Sequence, residues 1–132
     1  MTIPGTDSKP RIFVVDDEQI IAVTLAAILN QAGFHAIAFH LPLEALKAAQ
    51  TDQPDLLLTD VMMPKLSGID LAIQVRELLP LCKVLLFSGV PDTADLLSKS
   101  AAQGHTFQVL AKPIHPTELI NEVVDSIFPA LQ

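Results

Sequence analysis

Five residues able to do chemistry stand where short apolar runs stop. Arg11-Ile12-Phe13-Val14-Val15 runs into Asp16 and Asp17, with Glu18 after them, and Leu56-Leu57-Leu58-Thr59 runs into Asp60. Lys83-Val84-Leu85-Leu86-Phe87 ends on Ser88-Gly89, and Phe107-Gln108-Val109-Leu110-Ala111 ends on Lys112-Pro113. Apolar runs of this length, bounded by Pro or Gly, read as strands buried on both faces. In an open parallel sheet the crevice outside the carboxyl ends of the strands is where ligands bind. Asp60 on its own reads equally well as a turn-starting residue. If the first and third strands are parallel neighbours, however, Asp16, Asp17 and Asp60 converge. Like charges that close need a compensating cation, and an all-oxygen set suits a hard divalent ion, Mg²⁺ first.

The elements that must position these residues alternate in type. After the first strand, Gln19 to Gln31 carries Ile21, Leu25, Ile28 and Leu29 at helical spacing, and Gly33 supplies a positive-φ stop. A strand over Phe34–Phe39 follows, then a helix opened by Pro42, the Asp60 strand, and a helix from about Ser67 to Leu79 ended by Pro80. The Val84 strand, a helix opened by Pro91 and stopped at Gly104, the Phe107 strand and a last helix over Pro116–Phe128 complete the set. Five strands, each followed by a helix, imply right-handed crossovers and a parallel sheet. The expected class is therefore α/β, a three-layer α/β/α sandwich. Strand order cannot be read from periodicity.

Composition narrows the function. The chain is 132 residues long, the size of one domain, and half of it is hydrophobic, which predicts a folded core. With 15 acidic residues against 8 Lys and Arg the formal net charge is -7, a poor match for nucleic acid or an anionic membrane. No apolar run approaches the ~18 residues that span a bilayer, and Met1 to Pro10 lacks the apolar stretch of a signal peptide. A single cysteine, Cys82, forms no internal disulfide, fits a reducing cytoplasm, and reads as packing. His35, His40, His105 and His115 lack ligand spacing and read as surface or loop residues. Residues 1–9 are expected to be a flexible tail, 10–128 the domain, and 129–132 a second short tail.

In this light the residues resemble a receiver domain of a two-component response regulator, of the chemotaxis type. The resemblance is carried, in order, by Val15-Asp16-Asp17-Glu18, by Asp60-Val61-Met62-Met63-Pro64-Lys65-Leu66-Ser67-Gly68, by Ser88-Gly89 and by Lys112-Pro113, and it covers residues 10 to 128. It implies a flavodoxin-like, doubly wound, five-stranded sheet of order 2-1-3-4-5. It further implies a signalling switch that takes a phosphoryl group on Asp60 from a sensor histidine kinase or phosphotransfer protein and then changes its binding to a downstream protein. Asp17, Asp60 and the Met62 backbone carbonyl would hold Mg²⁺ directly and Asp16 through water; Lys112 and Ser88 would contact the phosphoryl oxygens, and Gly89 would leave it room. The family usually holds the Lys-Pro bond corresponding to Lys112-Pro113 in the cis form.

Rival readings are weaker on the residues. A flavin carrier needs a Ser/Thr/Gly-rich loop after the first strand, where this chain has Asp-Asp-Glu. A haloacid-dehalogenase-type phosphotransferase needs an Asp two residues after the nucleophile, where this chain has Met62. A degenerate receiver acting as a constitutive interaction module would not be expected to retain all five site residues. Singly, Lys112 would read as solvated and Ser88 as a strand-end cap; their joint position favours the site. One departure stands out. Three residues before the lysine the family usually has Tyr or Phe, and this chain has Val109, with Phe107 two residues earlier and one extra residue between Gly104 and Lys112. The expected switch is therefore the loop from Ser88 and Gly89 to Thr93, which moves, and Phe107, which repacks, with Val109 static, and the face made by the Pro91 helix, the Phe107 strand and the last helix docks a partner or a second copy. No output module is read after Phe128, so the expectation is a stand-alone cytoplasmic receiver that assists its own phosphorylation without being an enzyme in the usual sense.

Overall fold

The computed structural model describes residues 9–89 and 93–129, with only the backbone at 93–95. Five strands and five helices alternate: β1 (Arg11–Val15), α1 (Gln19–Gln31), β2 (His35–Phe39), α2 (Pro42–Ala49), β3 (Leu56–Asp60), α3 (Gly68–Leu78), β4 (Lys83–Ser88), α4 (Thr93–Ala102), β5 (Gln108–Ala111) and α5 (Pro116–Ile127). All pairings are parallel and the sheet order is β2-β1-β3-β4-β5. The α/β class and the 2-1-3-4-5 order are thus as expected. Residues 1–8 of the expected 1–9 tail, residues 90–92 of the expected switch loop with the opening of α4 at Pro91, and residues 130–132 lie outside the described residues.

The period-two alternation of a strand splits the core into two layers. Ile12, Val14, Leu56, Leu58, Leu85, Phe87 and Leu110 face α1 and α5, where Leu25, Leu29, Leu119 and Val123 meet them. Phe13, Val15, Leu57, Val84 and Leu86 face the other way, against Ala45, Ala49, Leu71, Ala72 and Val75. β1 and β3 are buried almost throughout because helices cover both of their faces. The edge strand β2 is only half-buried. The Asn30 side chain blunts its outer edge, accepting from the Ala36 N–H at 2.7 Å and donating to the Ala36 carbonyl at 3.1 Å.

Several boundaries shift by a residue for local reasons. Gly33 sits at φ 105, as its position predicts; its N–H bonds the Asn30 carbonyl, and the Phe34 N–H bonds the Leu29 carbonyl at 3.1 Å. Phe34 therefore belongs to the α1 stop, and β2 begins at His35. Ser67 caps α3, its Oγ accepting from the Asp70 N–H at 3.1 Å, so the helix proper starts at Gly68. Phe107 precedes β5, whose ladder with β4 opens at Gln108 opposite Leu85. His115, read as a loop residue, caps α5 by accepting from the Thr117 N–H at 3.2 Å.

Gly68 is where the fold admits no side chain. A Cβ there would lie 1.9 Å from the Asp60 carbonyl oxygen and 2.8 Å from its carbon, both backbone atoms that cannot swing away. Gly68→Ala is expected to destabilise the protein by about 1–3 kcal/mol, as overpacking of a tight site does. Urea unfolding measures this, and an unchanged midpoint would show that the loop between β3 and α3 yields freely.

Candidate functional site

The strand pattern that builds the core also aims the site. Positions 12 and 14, 56 and 58, and 110 share one face, so Asp16, Asp60 and Lys112 continue that parity beyond the strand bodies. Val15 pairs with Thr59, which brings the next residues, Asp16 and Asp60, side by side. Ser88 pairs with Ala111 and its carbonyl accepts the Lys112 N–H at 3.0 Å, which fixes where the lysine leaves β5. The Lys112-Pro113 peptide is cis.

Four of the expected residues meet. Asp16, Asp17 and Asp60 each offer an oxygen within 4.8 Å of the others. Lys112 Nζ lies 3.1 Å from Asp16 Oδ2 and 3.4 Å from Asp60 Oδ2, and 5.0 Å from the centre of the Phe87 ring. Asp16 is fully buried; its second oxygen accepts the Glu18 N–H at 2.9 Å. Asp17 is exposed, Asp60 and Ser88 are buried, and Lys112 is partly exposed. Met62 lies two residues beyond the end of β3 and is exposed. Gly89 adjoins the lysine stem: a Cβ there would meet Lys112 Cβ at 3.4 Å, ordinary contact, so packing alone does not demand glycine.

Burial raises the Asp60 carboxyl above its ordinary value, and the Asp16 charge raises it further, against the opposing pull of Lys112. Burial likewise raises Asp16, although the Glu18 N–H and Lys112 both favour its charged form. For Lys112, burial pulls down, but the hydrogen bond to Asp16 and the charges of Asp60 and Asp16 prevail and raise it. One ammonium shared by two carboxylates is itself well stabilised yet leaves the acids under-compensated. A cluster of hard oxygen donors with residual negative charge fits a divalent cation such as Mg²⁺.

Of the residues in the expected switch region, Ser88 and Gly89 adjoin this cluster, whereas Phe107 and Val109 lie apart from it. Val109 is half-buried on the α2–α3 side of the sheet. Phe107, at the far end of β5 from the site, is half-buried under the Arg76 guanidinium, 4.4 Å from the ring centre. His105 stacks parallel to it with centroids 6.3 Å apart, and Arg76 Nη1 donates to the Thr106 carbonyl at 3.4 Å. His105 is a loop residue, as read, and its ring adds to the cover on Phe107; nothing in the sequence linked Arg76 to Phe107. Cys82 is buried packing as expected; burial and the nearby Asp55 charge push its thiol up to about 12.

A family model described as the response regulator receiver domain matches residues 12–124. The response regulator receiver protein CpdR of Brucella abortus is 31% identical over 120 residues, covering 91% of this chain and 98% of that protein. The alkaline phosphatase synthesis transcriptional regulatory protein PhoP of Bacillus subtilis is 33% identical over 109 residues, 83% of this chain but 45% of the relative, so the chain spans about half the length of that regulator. Among solved structures, a response regulator receiver domain protein from Clostridium thermocellum superposes with a TM-score of 0.80 at 25% identity, covering 92% of this chain and 97% of that one.

Carboxyls held above their usual value in the fold bind protons more tightly than in the unfolded chain, so they favour the native state at low pH and cost stability as pH rises above 3.8. The raised Lys112 gives a slope of the same sign, stabilisation lost as pH rises, but only near and above 10.5, outside this window. In EDTA, wild-type unfolding free energy should therefore fall as pH rises above 3.8 more steeply than that of Asp60→Asn. Equal slopes in urea titrations would contradict the assigned crowding.

Proposed function

Because the chain belongs to the response regulator receiver family, we propose that Asp60 is its phosphoacceptor and that Asp16, Asp17, Lys112 and Ser88 are the groups that make Asp60 competent. Receiver domains are signalling modules that exchange phosphoryl groups with histidine kinases or phosphotransfer proteins and act on downstream targets, and they bind Mg²⁺ at an Asp cluster. The observation that carries the residue-level reading is the convergence of three carboxylates and one ammonium at the carboxyl end of the sheet.

In this reading an Asp60 carboxylate oxygen attacks the phosphorus of a phosphohistidine as the P–N bond breaks, and the imidazole stays on the partner protein, its freed nitrogen protonated from solvent. Asp17, Asp60 and the Met62 carbonyl would hold Mg²⁺ directly and Asp16 through water. When bound, the ion supplies charge neutralisation for the phosphoryl oxygens. Lys112, already drawn to Asp60, exchanges that contact for a phosphoryl oxygen, and the Ser88 hydroxyl donates to another. Gly89 leaves space beside the lysine stem. Asp16 raised by burial and Asp60 raised by burial and by the neighbouring acids are a poor resting arrangement, so bringing in positive charge favours the reactive ionised form of Asp60.

Residues 10–128 would form the working unit. Pro10 is buried, with its carbonyl accepting the His35 N–H at 2.9 Å, which supports starting the unit there. No helix among the described residues is long and apolar enough to cross a membrane, which agrees with a cytoplasmic site of action. Output would pass through Ser88 and Gly89 to Phe107, with Val109 static, and the face made by α4, β5 and α5 would dock a protein target or a second copy. A constitutive interaction module is the less favoured reading, because the chain keeps every group the chemistry needs.

Incubation with Mg²⁺ and acetyl phosphate should add one phosphoryl group to the intact mass. The adduct should vanish in Asp60→Asn and in EDTA. An adduct that persists in Asp60→Asn would place the acceptor elsewhere, and labelling undiminished in EDTA would overturn the metal requirement.

A further inference from the structure

Directly before the acceptor lies a buried hydroxyl to which the chemistry above assigns no part. Thr59 is completely buried, and its Oγ1 donates to the carbonyl oxygen of Asp60 at 3.0 Å. Strand alternation turns its side chain to the α2–α3 layer, opposite to the Asp60 carboxylate, so the hydroxyl cannot touch a phosphoryl group. It acts on the backbone of Asp60 instead. The same carbonyl oxygen is the atom that a Cβ on Gly68 would strike, and that Cβ would also lie 3.1 Å from Thr59 Oγ1. Hydroxyl, carbonyl and the first residue of α3 thus form one tight knot under the acceptor.

The peptide that follows is pinned as well. The Val61 N–H donates to the Phe87 carbonyl at 3.1 Å, and the Gly68 N–H donates to the Val61 carbonyl at 2.8 Å. The Asp60–Val61 peptide is therefore held by the Thr59 hydroxyl at its oxygen and by β4 at its nitrogen. Asp60 is the last residue of β3, beyond the β1–β3 register that ends at Val15 and Thr59, so the ladder with β1 gives it no further support. The direction of its carboxylate follows from this peptide plane.

Building on the assignment of Asp60 as phosphoacceptor, we infer that Thr59 is a positioning residue whose hydroxyl, by holding the Asp60 carbonyl against Gly68, aims the carboxylate for phosphoryl transfer. Loss of the hydroxyl frees the peptide to rotate, and a small misaim of a nucleophile slows transfer strongly.

The test compares wild type, Thr59→Val, Thr59→Ser and Asp60→Asn for labelling by acetyl phosphate with saturating Mg²⁺, alongside melting curves. Thr59→Val should fold cooperatively and label about tenfold more slowly at saturating donor, with an unchanged half-saturating concentration. Thr59→Ser, which keeps the donor, should return to within about threefold of wild type. Wild-type labelling in Thr59→Val, or a Thr59→Ser as slow as Thr59→Val, would overturn the inference. Should Thr59→Val unfold, Thr59→Ala removes the hydroxyl without an added methyl and carries the same comparison; unfolding of both would show that the hydroxyl serves the fold rather than the aim. Failure of the underlying assignment looks different: Asp60→Asn would then label like wild type.

Discussion

The crowding of Asp16, Asp17 and Asp60 around a single ammonium is the constraint on which the rest of the molecule depends. Three acids within one small space and one lysine leave a deficit of positive charge, which burial of Asp16 and Asp60 makes more costly. Such an arrangement persists only if the scaffold holds it. Here the scaffold is a doubly covered parallel sheet whose central strands are packed on both sides, so the acids at its edge cannot relax by moving the strands. The deficit is also what makes the site responsive. A divalent cation and a phosphoryl group answer complementary needs, the one supplying positive charge and the other engaging the lysine.

Sheet topology converts sequence-distant residues into neighbours. Lys112 and Asp16 are 96 positions apart, yet they meet because β1, β3, β4 and β5 run in one direction and end together. The loop between β3 and α3 completes the rim by turning so closely on Asp60 that only glycine fits at its end. At the opposite end of β5 a separate cluster, Arg76, Phe107 and His105, ties α3 to the segment before the strand. In this chain the large ring on β5's side of the sheet is thus held by a cation at the far end, while the position nearer the lysine carries the smaller Val109.

Much of this was legible in the residues. Apolar runs that stop on Asp, Ser or Lys announce both strands and site, because buried parallel strands must be apolar and their ends are free to be polar. Gly33 and Gly104 marked helix stops correctly, since both take positive φ. Strand order was not readable from periodicity and came only with the family resemblance. The cap by His115, the edge cover by Asn30, the Arg76–Phe107 contact and the Thr59 knot were invisible for a common reason. Each depends on the geometry of a particular turn or on two elements far apart in sequence, and neither leaves a periodic trace.

The most direct measurement of the charge deficit is the melting midpoint as a function of Mg²⁺ in wild type and Asp17→Asn. If the acids are crowded as described, the wild-type midpoint rises with Mg²⁺, by an amount corresponding to about 2.7 kcal/mol when the ion reaches a hundredfold excess over its dissociation constant. The metal-free midpoint of Asp17→Asn then lies above that of metal-free wild type, and most of the Mg²⁺ response is lost. A wild-type midpoint that does not move at millimolar-range Mg²⁺, or an Asp17→Asn that melts lower than wild type without metal, would contradict it.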